Sequence, residues 1–288
     1  MKITAIYATG RRERSTTYHL AQTVINKLKG EDEVHEFFLP KDMNHFCIGC
    51  YQCFADHRER CGGYDMIQPI REAMNESDLI IFTAPVYVYH IPGQLKAFLD
   101  HFACEWVVHR PNPNMFHKQA LIITTACGAG MSKTVKDIKD SLDYWCVGRV
   151  YTYKKGIFQG HWDEINPEVQ ESMKKKVLKI ADKIKKREGN VTPRLKVKAL
   201  FYIFRSMHGK KQYNPVDVGY WKEKGWLKRC VRGKLLNNIK LNIKLIGHSQ
   251  CELSSHFRIM TNRAADLINK NVNYGIIIMI ENYKLYSI

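Results

Sequence analysis

Four cysteines lie close together between residues 44 and 63. Cys47, Cys50, Cys53 and Cys61 follow the pattern C-x2-C-x2-C-x7-C. Thiolates at such short spacing can converge on one metal centre, and four of them suit a [4Fe–4S] cluster or a structural Zn²⁺. A loop of reduced cysteines that helps a dimer contact would show the same pattern. The motif therefore indicates a redox or metal site and leaves these alternatives open.

A second set of residues suits a phosphate group. After the first strand-like segment the chain reads Thr9-Gly10-Arg11-Arg12-Glu13-Arg14-Ser15-Thr16-Thr17. Hydroxyl, guanidinium and backbone N–H groups gather where a helix begins, and helix N-termini attract anions. The segment lacks the Gly-Lys-Ser/Thr of a Walker loop and the GxGxxG of a dinucleotide site. An ordinary helix capped by a hydroxyl would explain the same residues without a ligand.

Two further loops suit a flat ring system. The first, Pro85-Val86-Tyr87-Val88-Tyr89, follows a buried strand, and its aromatic side chains and backbone can flank a ring and bond its polar edge. The second, Cys127-Gly128-Ala129-Gly130, follows the next strand, and its glycines let the backbone approach a ligand closely. The alternatives are tyrosines that only pack over the sheet edge, and a turn that needs positive φ.

Strand-like and helix-like segments alternate along the first 160 residues, and one more helix is predicted after them. The predicted strands are 2–8, 33–39, 78–84, 120–125 and 149–153, and the predicted helices are 16–29, 66–76, 93–102, 131–146 and 167–187. Pro69 is expected in the first turn of its helix. Such alternation predicts an α/β fold with a doubly wound, five-stranded parallel sheet in the order 2-1-3-4-5. Ligands of this fold bind beyond the carboxyl ends of the strands, which is where the three loops lie.

On these motifs the sequence resembles the NADPH-dependent FMN reductase family of flavodoxin-like proteins, which includes the iron–sulfur flavoproteins. The resemblance covers about residues 1–228. It rests on Pro85-Val86-Tyr87, on Gln94-Leu95-Lys96-Ala97-Phe98-Leu99-Asp100, on the cysteine motif, and on Tyr220-Trp221-Lys222-Glu223-Lys224-Gly225-Trp226. Three positions depart from the family pattern: Gly10 replaces a proline, Ser15 an asparagine and His101 an arginine.

The resemblance implies FMN as the cofactor and assigns a role to each loop. The residues implied for the phosphate are Thr9, Arg11, Ser15, Thr16 and Thr17. Those implied for the ribityl chain and the ring are Pro85, Val86, Tyr87 and Val88, and those lining the isoalloxazine are Thr125, Gly128 and Gly130. For the cysteine motif the resemblance favours an iron–sulfur cluster over zinc.

The activity implied is an NAD(P)H oxidoreductase that passes hydride or electrons through FMN to a small-molecule or protein acceptor. The flavin carries this chemistry, so no catalytic residue is predicted. His90 lies beside the ring loop, and we interpret it as a hydrogen-bonding loop residue. The alternative function is an iron–sulfur flavoprotein that carries electrons between partner proteins without NAD(P)H turnover. A homo-oligomer is expected from the resemblance.

The basic charge is concentrated near the end of the chain. The net charge is +17, and residues 190–288 contain 18 Lys and Arg against 5 Asp and Glu. We predict a flavodoxin-like FMN-binding domain over 1–189 and a mostly helical basic extension over 190–288, family-like to about 228. Without a recognised nucleic-acid module, a solvated tail is favoured over one that binds nucleic acid or acidic lipid.

Location is predicted from what the sequence lacks. No signal peptide is visible, and no apolar run reaches the roughly 18 residues of a membrane span. A chain with nine cysteines and no signal peptide is expected in a reducing, cytoplasmic compartment.

Overall fold

The structure, a computed structural model, describes residues 1–209 and 214–228. Five strands form one sheet: β1 (Ile3–Tyr7), β2 (Val34–Phe38), β3 (Leu79–Thr83), β4 (Gln119–Ala126) and β5 (Arg149–Gly156). Their order is β2-β1-β3-β4-β5, and every neighbouring pair is parallel. The predicted doubly wound parallel sheet and its strand order are confirmed.

Seven α-helices connect and follow these strands in the described residues. They are α1 (Thr16–Leu28), α2 (Tyr64–Glu76), α3 (Gly93–Asp100), α4 (Met131–Tyr144), α5 (Pro167–Lys185), α6 (Leu195–Gly209) and α7 (Pro215–Glu223). The expectation that Pro69 lies in the first turn of α2 is wrong. A turn closed by a hydrogen bond from the Tyr64 N–H to the Cys61 carbonyl leads directly into the helix. The helix α2 therefore begins two residues before its predicted start, and Pro69 lies in its second turn.

Alternate residues of the central strands face two separate cores, as the two-residue period of a strand requires. Ile80 and Phe82 of β3 face one core, which also contains Phe98 of α3 and Trp145 after α4. Ile81, between them, faces the other core with residues of α1 and α5. Because β3 is buried on both faces, its sequence reads as a continuous apolar run.

The two helices after residue 189 complete a third apolar cluster. Trp221 of α7 is fully buried and stacks on Phe201 of α6, with ring centroids 5.1 Å apart. Val107 and Phe116, from the segment between α3 and β4, belong to the same cluster. The part of the extension that the structure describes is therefore helical, as predicted, and packs on the sheet domain. Over the residues described, no helix has the length and apolar character to cross a bilayer.

Candidate functional site

The three predicted loops start side by side at the carboxyl edge of the sheet. Hydrogen bonds continue the strand pairing past the strand ends: Ala8 N–H donates to Thr83 O and Ala84 N–H to Ile123 O, both at 2.9 Å. Val86 N–H then donates to Thr125 O at 2.9 Å. These bonds fix the first residues of each loop relative to one another, so residues far apart in the sequence meet at one edge.

The first loop presents hydroxyl and amide groups at the start of α1. Ser15 occupies the N-cap position, but its hydroxyl makes no capping bond and lies 3.0 Å from the Thr17 hydroxyl. Thr9, Ser15, Thr16 and Thr17 are all buried. The first N–H groups of a helix have no intrahelical acceptor and lie at the positive end of the helix dipole. This arrangement suits an anion such as a phosphate.

Two of the three arginines of this loop contact other parts of the protein. Arg11 donates from its guanidinium to Gly160 O at 2.9 Å and lies 3.3 Å from His161 Nδ1. The guanidinium of Arg12 lies 4.4 Å from the centre of the Phe38 ring. The structure therefore places Arg11 against the loop after β5, and its predicted contact with a phosphate stays a prediction.

The loop after β3 forms a tight hairpin with exposed side chains. Tyr87 and His90 exchange two backbone hydrogen bonds of 3.0 Å each, which close the turn. The central residues Val88 and Tyr89 have φ of 47° and 67°. Positive φ at both positions is the geometry of a type I′ turn, and it is strained for a β-branched valine. Val88 is 90% exposed, so an apolar side chain stands in solvent beside the predicted ring site.

Gly130 joins the loop after β4 to this hairpin. Its φ is 94°, and a Cβ at this position would lie 2.7 Å from Val86 Cγ1 and 2.8 Å from the Tyr89 carbonyl oxygen. Only glycine allows such a close approach of backbone to side chain. A Cβ at Gly128 would meet nothing within 4 Å. The two predicted glycines therefore differ: Gly130 is required by the packing and Gly128 is not.

One side chain that the site prediction did not include also links the loops. Gln94 of α3 donates from its amide to Ala8 O at 2.6 Å. The bond fixes the end of β1 against the helix that follows the hairpin. Gln94 was part of the motif that carries the family resemblance, so the sequence held a signal for it.

The cysteine motif forms an irregular loop beside α2 and α3. Cys47 and Cys50 are exposed, whereas Cys53 and Cys61 are partly buried. The Cys61 sulfur lies 3.6 Å from His101 Nδ1, and His101 Nε2 lies 3.5 Å from His45 Nδ1. Burial lowers the pKa of His101, and the hydrogen bond between its ring and the His45 carbonyl opposes this shift. Within the described residues, no group of three or more Cys, His, Asp or Glu is arranged to hold a metal ion.

A fifth cysteine, which sequence reasoning treated as a packed or free thiol, lies against this loop. Cys104 is fully buried and is a neighbour of Cys53. The Cys53 thiol, assisted by the Arg58 guanidinium, lowers the pKa of Cys104, and burial opposes this shift. No sequence pattern connects Cys104 to the motif, because their proximity depends on how the end of α3 packs.

The strand order defines a flavodoxin-like α/β protein, and ligands of this fold bind at the switch point of the sheet. A model of the family "NADPH-dependent FMN reductase" matches residues 1–159, and the chain belongs to this family.

Relatives of known name agree with this membership. An "Iron-sulfur flavoprotein" of Archaeoglobus fulgidus is 24% identical over 201 residues, which cover 68% of this chain and 86% of that protein. An "FMN-dependent NADH:quinone oxidoreductase" of Pelagibacter ubique is 29% identical over 161 residues, covering 50% and 79%. The solved structure of an FMN-dependent NADH-azoreductase from Bacillus anthracis in complex with FMN has a TM-score of 0.52 at 12% identity. It covers 64% of this chain and 99% of that one, and shows the shared fold.

Proposed function

We propose that this chain binds FMN at the carboxyl ends of β1, β3 and β4 and oxidises NAD(P)H, passing the electrons to a small-molecule or protein acceptor. The observation that carries the proposal is the convergence of the anion-type loop, the exposed hairpin and Gly130 at one edge of the sheet. The residues fit the cofactor, since buried hydroxyls at a helix N-terminus suit its phosphate and an open backbone cradle suits its ring.

In this proposal the first loop binds the phosphate. The hydroxyls of Ser15 and Thr17 lie 3.0 Å apart, so both can turn toward one anion beside the first N–H groups of α1. Thr9 and Thr16 complete the set, and Thr9 Oγ1 also accepts the Arg11 N–H at 3.3 Å, which holds the loop closed. Because these hydroxyls are buried, a phosphate that binds here would lose its hydrogen bonds to water and accept hydrogen bonds from the protein.

The other two loops hold the ring and control what reaches it. The strained hairpin carries Tyr87, Val88 and Tyr89 at 41%, 90% and 60% exposure, an apolar surface that can exclude water from a stacked nicotinamide. Thr125 and the backbone from Gly128 to Gly130 lie at the end of β4, where backbone groups can bond the polar edge of a ring. Bound FMN supplies the hydride chemistry of the reaction.

The test is an anaerobic titration of the purified protein with FMN, followed by addition of NADH or NADPH. We expect stoichiometric flavin uptake and bleaching of the flavin absorbance by a nicotinamide donor, with a quinone restoring the oxidised spectrum. A quinone is the first acceptor to try because one relative carries that activity in its name. A protein that takes up no FMN, or whose flavin neither donor bleaches, would contradict the proposal.

The second candidate is an electron carrier that uses a cluster at Cys47, Cys50, Cys53 and Cys61. It is supported by the cysteine motif and by relatives named iron–sulfur flavoproteins. Four free thiols in one loop are suitable ligands for an iron–sulfur cluster. In the structure, however, no three of these thiols are arranged to hold one metal ion. Iron and sulfide analysis of anaerobically purified protein separates the candidates. About four irons per chain with no bleaching by NAD(P)H would favour the carrier.

A homo-oligomer belongs to the proposal as well. Phe46, Ile48 and Tyr51 of the cysteine loop are 69%, 81% and 67% exposed, a concentration of apolar side chains that suits a contact between copies. Light scattering of the FMN-loaded protein measures the mass directly. A monomer at micromolar concentration would remove this part of the proposal and leave the flavin site untouched.

A further inference from the structure

The loop after β5, residues 157–166, crosses the edge of the sheet where the three site loops lie. At its start the Ile157 N–H donates to Ala126 O at 2.8 Å, beside the loop after β4. Further along, the Trp162 N–H donates to Arg14 O at 3.2 Å, just before α1 begins. The loop therefore runs from the proposed ring site to the proposed phosphate site, although none of the predicted site residues comes from it.

Packing and hydrogen bonds hold this loop against α1. Trp162 is 9% exposed and belongs to the core on that face of the sheet, and its ring stacks on that of His19 with centroids 4.7 Å apart. Glu164 Oε2 accepts the N–H groups of Gly160 and His161 at 3.1 Å each, which closes the turn around Trp162. The neighbours of His161 on both sides thus fix its position beside the start of α1.

Arg11 determines which nitrogen of the His161 ring carries the proton. The Arg11 guanidinium donates to Gly160 O at 2.9 Å and lies 3.3 Å from His161 Nδ1. A guanidinium has N–H donors and no acceptor, so Nδ1 must accept this hydrogen bond and the ring proton lies on Nε2. This leaves the Nε2–H as the donor that the His161 ring can offer to a ligand.

We propose that His161 donates from Nε2 to the phosphate of FMN, so that the loop after β5 is a fourth loop of the flavin site. This role of His161 rests on the proposed function, in which the phosphate binds at the hydroxyls of Ser15 and Thr17. Arg11 is then a positioning residue, because it keeps the ring in the donating tautomer. Hydrogen bonds to a charged acceptor are stronger than those between neutral groups, so the contribution should be measurable.

The test compares the binding of FMN and riboflavin to the full-length protein, measured by flavin fluorescence. Riboflavin has the ring without the phosphate. We expect His161→Phe, which keeps a ring and removes both nitrogens, to raise the Kd for FMN about tenfold or more and to leave the Kd for riboflavin unchanged. His161→Gln keeps an N–H near the position of Nε2, so its Kd for FMN should stay within about threefold of the wild type. Gln159→Ala, at an exposed residue of the same loop, should change neither Kd.

A measurement on the wild-type protein does not depend on how the variants fold. Diethyl pyrocarbonate modifies accessible neutral imidazoles, and mass spectrometry of a digest locates the modified histidines. Saturating FMN should slow the modification of His161, and saturating riboflavin should slow it much less. His117 is the control, because it is exposed and precedes β4 at the opposite edge of the sheet. It should react at the same rate with either flavin or with none.

Two results would overturn the role of His161 and leave the proposed function standing. One is a wild-type protein that prefers FMN to riboflavin while His161→Phe binds FMN with the same Kd. The other is equal modification of His161 with and without bound FMN. A wild-type protein that takes up neither flavin would instead contradict the proposed function and, with it, the phosphate contact of His161.

Discussion

At the scale of single residues, Gly130 is the position where the packing beside the proposed ring site is tightest. A Gly130→Ala variant would force its Cβ against Val86 and Tyr89 and would strain a φ of 94°. We expect a loss of about 1–3 kcal/mol in the free energy of unfolding, typical of overpacking, together with weaker FMN binding. Chemical denaturation and a flavin fluorescence titration measure the two effects.

The matched control is Gly128→Ala, two residues earlier in the same loop. A Cβ at Gly128 meets no atom within 4 Å, so its unfolding free energy should stay within about 0.5 kcal/mol of the wild type. Equal effects of the two alanines would show that the close approach at Gly130 does not shape the site.

Val88 carries a strain that the fold alone does not explain. A left-handed backbone costs a residue with a Cβ about 1–2 kcal/mol, and asparagine tolerates it better than valine. We therefore expect Val88→Asn to raise the unfolding free energy by about 1 kcal/mol. The side chain is 90% exposed, so no packing is lost. Thermal and urea unfolding of the apoprotein check this.

The same variant tests whether the strained Val88 contributes to the proposed flavin site. If the exposed valine covers a bound ring, as the proposed function requires, Val88→Asn should gain stability while losing FMN affinity or the rate of NAD(P)H oxidation. A variant that gained stability with no change in either property would remove Val88 from the proposed site.

At the scale of elements, the packing of α6 and α7 depends on an uncharged histidine. His208 of α6 is 1% exposed, and its ring lies 4.6 Å from that of Trp221. Burial lowers the pKa of His208 to about 4, with His109 acting in the same direction and Asp217 opposing it. The unfolded chain takes up this proton near the ordinary pKa of 6.5, so it binds more protons than the folded chain between pH 6.5 and 4.

The free energy of unfolding therefore decreases as the pH falls from 6.5 to 4. His208 lowers it by about 3 kcal/mol once the pH is below 4. A His208→Gln variant should show a flatter dependence of unfolding free energy on pH between 6.5 and 4. His117→Gln, at an exposed histidine, should keep the slope of the wild type. The same slope in all three proteins would show that His208 takes up its proton in the folded state without cost.

Elements were also the part of the structure that the sequence predicted best. The apolar run of β3 and the spacing of Leu20, Val24 and Leu28 in α1 reflect local periodicity, which is independent of the rest of the chain. The three site loops followed from the strand order, because parallel strands bring their carboxyl ends to one edge. The proximity of Cys53 and Cys104 and the engagement of Arg11 by Gly160 depend on tertiary packing, and no local pattern encodes them.

At the scale of the whole molecule, the proposed flavin site joins loops from three separate parts of one sheet, so ligand binding should stabilise the domain as a unit. A ligand that binds the folded state alone stabilises it by about 2.7 kcal/mol at one hundred times its Kd. Saturating FMN should therefore raise the Tm, and the increase should grow with FMN concentration. Differential scanning calorimetry at several concentrations measures this.

Riboflavin has the ring of FMN and lacks its phosphate. In the same experiment it therefore distinguishes binding of the ring from binding of the phosphate. If the hydroxyls of Ser15 and Thr17 and the N-terminus of α1 bind the phosphate, riboflavin should raise the Tm much less than FMN at equal concentration. In a Ser15→Ala, Thr17→Ala double variant the response to FMN should fall toward the response to riboflavin. Equal shifts from both ligands in the wild type would mean that the loop after β1 is only a helix start, and that any flavin is held by the hairpin and Gly130 alone.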